Sequence, residues 1–285
     1  MKSLLALAIV LATPAQAETI LFVGNSFTYG AESPVHRYRP DSVTDLNREG
    51  VGGVPALFAA FAEQAGFDYD VHLETGGGRS LAWHLAERRE AIDRRWDHVV
   101  LQEYSTLDAT RPGDATRYIA ASRALTALFR QRNPRVAVRL NATWSRPDLT
   151  YRPGSRWSGK AIASMANDVR AAADRAQAAT PEITDVAPVG QAFTCAIRAG
   201  IADADPYNGI DAGKVGLWAA DRYHGSMYGY YLEALVLFGQ ITRHDPRSLG
   251  RDERAARDLG IAPEQAGALQ AIAAETLKSD GGCGA

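Results

Sequence analysis

The sequence predicts an α/β fold, a three-layer α/β/α sandwich in which helices cover both faces of a central, mostly parallel sheet of five strands. Two observations support this prediction. Short runs rich in β-branched, aromatic and aliphatic residues alternate with longer segments whose apolar residues follow a helical period, which is typical of parallel sheets connected by helices. No segment repeats at a fixed period and no low-complexity linker divides the chain, so residues 18–285 are predicted to form a single domain.

Five short segments have the composition of buried strands. The first, Thr19–Val23, reads TILFV and is apolar throughout, which indicates a central strand covered on both faces. The third, His98–Gln102, has a similar apolar character. The predicted strands are residues 19–23, 69–73, 98–102, 135–140 and 183–189.

Seven longer segments have helical character. Residues 81–95 carry many charges, which predicts a helix on the surface, whereas residues 228–241 are strongly apolar and are predicted to belong to the core. Between parallel strands, such helices form right-handed crossovers. The predicted helices are residues 55–65, 81–95, 114–132, 159–179, 191–199, 228–241 and 263–277.

Two long stretches have no regular pattern. They are Glu32–Gly52 and Thr143–Trp157, and each follows the carboxyl end of a predicted strand. Open α/β sheets bind ligands at that edge, so both stretches are candidates for the walls of a substrate cleft. The alternative is that both are only long surface loops.

The first seventeen residues have the features of a secretion signal. Lys2 supplies a positive charge, residues 4–12 form a short apolar run, and residues 15–17 read Ala-Gln-Ala, an A-x-A cleavage pattern. The apolar run is shorter than the roughly 20 residues that span a bilayer. We therefore expect an exported protein, periplasmic or secreted after cleavage near Ala17, with a retained N-terminal anchor as the alternative.

The net charge and the cysteine content limit the kinds of partner and site that we expect. A net charge of −2 gives no reason to expect binding to nucleic acid or to an anionic membrane, and we expect a monomer without a stable membrane anchor. The two cysteines, Cys195 and Cys283, do not form a zinc-binding pattern. In an exported protein they form either a disulfide that fastens the C-terminal tail or a buried cysteine and an unpaired one.

A serine follows the first predicted strand, within the sequence Gly24-Asn25-Ser26-Phe27. A serine between a buried strand and a following helix places its hydroxyl at the rim of the sheet, where backbone N–H groups can stabilise an oxyanion. Serine at such a junction is more often a helix N-cap. This segment alone therefore leaves both interpretations of Ser26 open.

A carboxylate and a histidine lie three residues apart near the C-terminus, as Asp221 and His224. Histidine is the base that a serine hydroxyl needs near neutral pH, and a carboxylate on its other ring nitrogen fixes the tautomer. An exposed loop with two unrelated side chains is the alternative for this pair. Another histidine, His84, is predicted to face solvent or to cap its helix, with a position in the lining of the cleft as the alternative.

Taken together, these segments resemble two blocks of the SGNH hydrolase superfamily, the GDSL-like esterases. Residues 20–26 (ILFVGNS) resemble the first block, which carries the nucleophile, and residues 221–232 (DRYHGSMYGYYL) resemble the last, which carries an Asp-x-x-His pair. The resemblance spans nearly the whole mature chain. It departs at Asn25, where the superfamily name implies Asp, and at Gly225, where Pro is common.

The resemblance implies a flavodoxin-like α/β sandwich, no cofactor or metal, and a triad of Ser26, Asp221 and His224. It also implies an oxyanion hole with three donors. The backbone N–H groups of Ser26 and Gly78 match two of them. The third is normally an asparagine after the third strand, but residues 101–106 (LQEYST) contain none, so Gln102, or the Ser105 hydroxyl, is the candidate.

The function predicted from these features is hydrolysis of carboxylic esters through an acyl-enzyme. Short acyl groups are expected, including acetyl groups on glycans, so the partner would be a small-molecule or glycan ester. Three alternatives stay open: an O-acyltransferase, a lysophospholipase or lipase, and a non-catalytic glycan-binding protein on the same scaffold.

Overall fold

A six-stranded parallel sheet forms the middle layer of the computed structural model, which describes residues 17–283 of the chain. The predicted signal segment, except for Ala17, lies outside the described residues. The strands follow the order β2-β3-β1-β4-β5-β6, and every neighbouring pair is parallel. They are β1 (Glu18–Gly24), β2 (Thr44–Asp45), β3 (Tyr69–Thr75), β4 (His98–Leu101), β5 (Ala137–Asn141) and β6 (Ile183–Ala187).

The α/β/α architecture is confirmed, but the predicted number of strands is corrected from five to six. The additional strand, β2, has two residues, which pair with His72 and Leu73 at the edge of the sheet. A two-residue strand is too short to show any hydrophobic period. Asp45 ends this strand, and its carboxylate accepts hydrogen bonds from the backbone N–H groups of Asn47, Glu49 and Val51.

Ten α-helices pack on the two faces of the sheet within the described residues. The predicted helix 81–95 is shorter than expected and is divided in two, because α2 ends at Glu87 and α3 ends at Ile92. The helices are α1 (Gly53–Gln64), α2 (Leu81–Glu87), α3 (Arg89–Ile92), α4 (Thr116–Arg132), α5 (Pro147–Thr150), α6 (Ala163–Ala179), α7 (Val189–Arg198), α8 (Met227–Thr242), α9 (Arg254–Leu259) and α10 (Pro263–Lys278).

The central strand β1 separates two hydrophobic cores. Ile20 and Phe22 belong to the core that includes α1, α7, α8 and α10, whereas Leu21 and Val23 belong to the core under α2, α4 and α6. All four side chains are buried. This two-sided burial is the reason why residues 20–23 of the first strand are apolar, as the sequence predicted.

Of the two alternatives for the cysteines, the structure contains the disulfide. Cys195 in α7 is bonded to Cys283 in the C-terminal tail. Among residues 17–283, none of the helices has the length and apolarity needed to cross a membrane.

A carboxyl group is fully buried in α8. Glu233 Oε1 accepts a hydrogen bond from Asn141 Nδ2 at 2.6 Å, whereas Glu233 Oε2 and Asn141 Oδ1 have no partner among the described residues. Burial raises the pKa of Glu233 to about 8, although the Asn141 hydrogen bond lowers it. When Glu233 is protonated, its carboxyl group can donate a hydrogen bond to Asn141 Oδ1.

We expect Glu233→Gln to stabilise the protein at alkaline pH. Because the folded-state pKa is raised, the stability associated with Glu233 is fully present below its unfolded-state pKa and is lost as the pH rises through about 8. Glutamine keeps a donor and an acceptor for Asn141 at every pH. Since one pKa unit corresponds to about 1.4 kcal/mol, the variant should gain on the order of 2–4 kcal/mol at pH 8 and little at pH 4.

Urea unfolding of both proteins between pH 4 and pH 9 measures this difference. Glu275→Gln, at a half-exposed position on α10, is the control and should show no such pH dependence. A constant difference between wild type and Glu233→Gln across this range would contradict the prediction.

Candidate active site

Ser26 lies two residues beyond the end of β1, in a tight turn. Ser26 is only 5% exposed to solvent. The turn is held by backbone hydrogen bonds from Thr28 and Tyr29 to the Asn25 carbonyl and from Ala31 to the Ser26 carbonyl, each 3.0 Å long. No α-helix begins here, since the next one, α1, starts at Gly53. The prediction of a strand–helix junction is therefore wrong, and so is the N-cap alternative for Ser26.

Asp221 and His224 form a hydrogen-bonded pair. Asp221 Oδ2 lies 2.6 Å from His224 Nδ1, and Asp221 Oδ1 accepts the backbone N–H groups of Tyr223 and His224 at 3.0 Å. Burial raises the pKa of Asp221, but these three hydrogen bonds outweigh it and the pKa is lowered. The carboxylate therefore stays ionised and orients the ring, so that Nε2 is the nitrogen left for other partners.

Several contacts attach the histidine loop, residues 221–224, to the turn that carries Ser26. The Phe27 ring lies 5.7 Å from the His224 ring, and Trp144 stacks on Phe27 at 4.3 Å. The Trp144 indole N–H also donates to the Tyr223 carbonyl at 3.2 Å. These aromatic contacts place residues about two hundred positions apart at one edge of the sheet.

Helix α8 reaches the same turn through Tyr230. Its hydroxyl lies 3.3 Å from the Ser26 carbonyl oxygen and 3.0 Å from that of Ala31. His224 Nε2 is buried and has no hydrogen-bond partner among the described residues, so the Ser26 hydroxyl does not bond to it in this structure. Catalytic hydrogen bonds are often long before substrate binds and shorten in the complex.

Two backbone N–H groups at this edge are available to an oxyanion. Neither Ser26 N–H nor Gly78 N–H donates a hydrogen bond to any described residue. Gly78 is exposed and has φ of +66°, a conformation that a glycine adopts without strain. The two predicted backbone donors thus have no acceptor within the described part of the chain.

The candidate third donor, Gln102, is engaged in the scaffold below Ser26. Its Oε1 accepts hydrogen bonds from Asn25 N–H at 2.9 Å and from the Thr28 hydroxyl at 3.0 Å. Its Nε2 donates to the Glu103 carbonyl. An amide nitrogen carries two N–H bonds, so one remains, and Gln102 as an oxyanion donor stays a prediction.

The irregular stretch Thr143–Trp157 contacts the histidine loop directly. The Arg146 guanidinium lies 3.6 Å from the centre of the Tyr223 ring and forms an ion pair of 2.7 Å with Asp148. It also donates to the hydroxyl of Ser105, the alternative third donor, at 3.2 Å. Arg146 was not identified from the sequence as a candidate residue. The Trp, Arg and Pro content of this stretch was the signal that could have indicated it.

The other irregular stretch, Glu32–Gly52, borders a cavity of about 510 Å³ beside the glycine loop, residues 76–80 (GGGRS). Its lining includes Glu32, His36 and Glu49 from this stretch and Gly77 from the loop. Both irregular stretches thus lie beside residues of the candidate site, as expected for walls of a cleft.

The prediction that His84 faces solvent or caps its helix is wrong. His84 is fully buried, and its Nδ1 contacts Glu74 Oε2. Glu74 also accepts hydrogen bonds from Arg88 at 2.8 Å and from Asn47 at 3.1 Å. This network lies behind the glycine loop, which follows β3 at Gly76. Its members come from three separate segments, so no local pattern could reveal it.

Residues 17–283 contain no group of three or more His, Cys, Asp or Glu side chains that could hold a metal ion.

Comparison with known proteins gives matches among solved structures alone. No protein-family model matches the chain, and no curated protein matches it. A DUF4886 family protein from Bacteroides uniformis ATCC 8492 is 18% identical, with a TM-score of 0.67 over 94% of this chain and 98% of its own.

Two further structures have names that refer to ester hydrolysis. A protein from Parabacteroides merdae ATCC 43184, described as a GDSL-like lipase, is 19% identical, with a TM-score of 0.55 over 80% of this chain and 96% of its own. The acetyl xylan esterase AlAXEase is 17% identical, with a TM-score of 0.51 over 78% of this chain and 99% of its own. At these identities the similarity establishes the fold: the chain has the SGNH-hydrolase fold, which GDSL-like lipases and carbohydrate esterases share.

Proposed function

We propose that this protein is an exported serine esterase that hydrolyses carboxylic esters of short acyl groups. Ser26 is the nucleophile, His224 the general base and Asp221 the residue that orients it. The observation that carries this proposal is the Asp221–His224 pair, whose ring nitrogen Nε2 has no partner in the described structure and whose loop packs against the turn of Ser26.

The reaction proceeds in two steps. His224 Nε2 takes the proton of Ser26 as Oγ attacks the ester carbonyl, and the oxyanion is stabilised by the N–H groups of Ser26 and Gly78. The protonated imidazole then donates its proton to the leaving alcohol. In the second step water, deprotonated by His224, attacks the acyl-enzyme and releases the acid. No cofactor takes part in this scheme.

Short acyl groups on glycans are the substrates that we favour. Among proteins of this fold, one of those compared is named an acetyl xylan esterase, and this supports an acetylated saccharide as substrate. Export is supported by the disulfide between Cys195 and Cys283, because disulfides persist in oxidising compartments.

A non-catalytic glycan-binding protein is the second candidate. It is favoured by the amide of Gln102, which occupies the position of a third oxyanion donor in these enzymes but uses its oxygen and one of its two N–H bonds in internal hydrogen bonds. Removal of one such donor typically costs about 3–4 kcal/mol of transition-state stabilisation.

Labelling with a fluorophosphonate probe distinguishes the two candidates. We expect wild-type protein to form one covalent adduct, located at Ser26 by peptide mass spectrometry, because only a serine activated by a base reacts at a useful rate. His224→Ala should label far more slowly although the serine is still present. Wild-type protein that stays unlabelled would favour the glycan-binding candidate.

A further inference from the structure

A second cavity, of about 210 Å³, also borders the glycine loop. One wall is formed by this loop and α2, and the opposite wall by the segment that follows β4. Gly78, the candidate oxyanion donor, is part of the lining. The lining also includes Trp83, Glu103, Asp108 and Ala109.

Hydrogen bonds connect both walls of this cavity to Asn25, the residue before the candidate nucleophile. The side-chain amide of Asn25, the residue before Ser26, donates to the Arg79 carbonyl at 3.0 Å and to the Glu103 carbonyl at 3.4 Å. Because Gly78 also lines the cavity, a group bound there lies beside the candidate oxyanion donor.

Glu103 supplies a buried carboxyl group to the cavity. The residue is 6% exposed, and its Oε1 accepts the N–H groups of Leu81 at 3.3 Å and Tyr104 at 2.6 Å. Its Oε2 bonds to no described residue. Burial raises the pKa of Glu103 to about 7, and the nearby charge of Asp108 contributes. Near neutral pH this carboxyl group can therefore accept a hydrogen bond or donate one.

Asp108, the other carboxylate in the lining, is occupied by its own loop. It accepts hydrogen bonds from Arg111 N–H and from the N–H and hydroxyl of Thr110, and these lower its pKa to about 2. These bonds are made by Asp108 Oδ1, and Asp108 Oδ2 lies 3.9 Å from Arg117 Nε. Glu103 Oε2 has no such partner among the described residues, so we assign the Glu103 carboxyl group to a ligand.

We propose that this cavity binds one sugar ring, the alcohol half of the ester, with the Glu103 carboxyl group bonded to ring hydroxyls and Trp83 packed against the ring. The inference rests on the proposed function and names the substrate class of the same site. A sugar ring offers hydroxyl groups at its edge and C–H groups on its face, which match the carboxyl group and the indole of this lining.

A long acyl chain fits the cavity poorly. Its volume is below the roughly 300–1,000 Å³ of sites that enclose drug-sized ligands, so it has room for one small group. An alkyl chain would also cover Glu103 Oε2 without giving it a hydrogen bond, which is costly for a buried polar group. A hydroxyl-bearing ring supplies that bond.

Two substrates with the same acyl group test the proposal. Methyl 6-O-acetyl-α-D-glucopyranoside and cyclohexylmethyl acetate present a six-membered ring with and without hydroxyl groups. We expect wild-type kcat/KM to be at least about 10-fold higher for the sugar acetate, because a site that binds hydroxyl groups rejects analogues that lack them. Equal values for the two substrates would overturn the proposal.

Two variants test whether the preference for the sugar acetate arises in this cavity. Glu103→Gln and Trp83→Ala should each lower the ratio of the two kcat/KM values by about 5- to 10-fold, since each removes one part of the recognition. Glutamine keeps the acceptor for Leu81 and Tyr104, so this variant should fold. A ratio that stays unchanged in both variants would contradict the assignment.

A blocking variant keeps Glu103 and Trp83 intact. Ala109→Trp should lower kcat/KM for the sugar acetate by at least about 10-fold through steric exclusion. Ala86→Trp, an exposed position on α2 outside the lining, is the matched control. If Ala109→Trp instead changes the preference between acetyl and hexanoyl p-nitrophenyl esters, the cavity holds the acyl group and the proposal is wrong.

Binding separates failure of this inference from failure of the proposed function. Methyl α-D-glucopyranoside should bind Ser26→Ala, as detected by saturation-transfer NMR, and the signal should disappear in Ser26→Ala/Ala109→Trp. Binding in the absence of any esterase activity in wild type would reject the esterase and retain the sugar site. Esterase activity in wild type without binding of methyl α-D-glucopyranoside would reject the sugar site and retain the esterase.

Discussion

Ser26→Ala is expected to reduce the hydrolysis of p-nitrophenyl acetate by at least about 10,000-fold, because an alanine cannot form the acyl-enzyme. The Ser26 side chain makes no hydrogen bond to a described residue, and the turn around it is held by backbone hydrogen bonds. Loss of the hydroxyl should therefore leave the fold unchanged. Initial rates over a range of enzyme concentrations measure the effect.

The control for this variant is Ser248→Ala. Ser248 is an exposed residue in the short 3₁₀ helix Pro246–Leu249 that precedes α9, and its replacement should leave the rate within about twofold, as is usual for surface substitutions. Circular dichroism and the thermal midpoint verify that Ser26→Ala is folded. More than a tenth of wild-type activity in folded Ser26→Ala would rule out Ser26 as the nucleophile.

Asp221→Asn should lower kcat by about 100- to 10,000-fold, with a smaller change in KM. The side-chain oxygen of the introduced asparagine can still accept the backbone N–H groups of Tyr223 and His224, which preserves the turn. Its amide nitrogen then faces His224 Nδ1 and favours the tautomer with the proton on Nε2. In that tautomer Nε2 cannot accept the proton of Ser26.

The matched control is Asp174→Asn, on the surface of α6, where the carboxylate pairs with Arg170. This change should leave kcat unaffected. ¹⁵N chemical shifts of the His224 ring report the tautomer directly. Wild-type kcat in Asp221→Asn, with the proton on Nε2, would show that His224 is not the base.

Local patterns were sufficient to predict the five main strands. Residues 20–23 and 99–101 are continuous apolar runs that are buried on both faces, and residues 135–140 alternate valine with arginine or a small residue. The same patterns predicted boundaries poorly where a turn depends on side chains. Asp45 illustrates this limit: its carboxylate organises the turn after β2 through three backbone N–H groups, and nothing in the short run Thr44–Asp45 distinguishes it from a loop.

Sequence alone therefore identified the α/β architecture and the candidate residues Ser26, Asp221 and His224, since strand periods and catalytic blocks are local and contiguous. The tertiary structure was needed to identify the short edge strand, the buried pair of Glu74 and His84, and the carboxyl group of Glu103 that lines a cavity. Each of these depends on neighbours from distant segments. Burial and hydrogen-bond partners, which determine whether such a polar side chain is charged, paired or free, exist only after those segments have packed together.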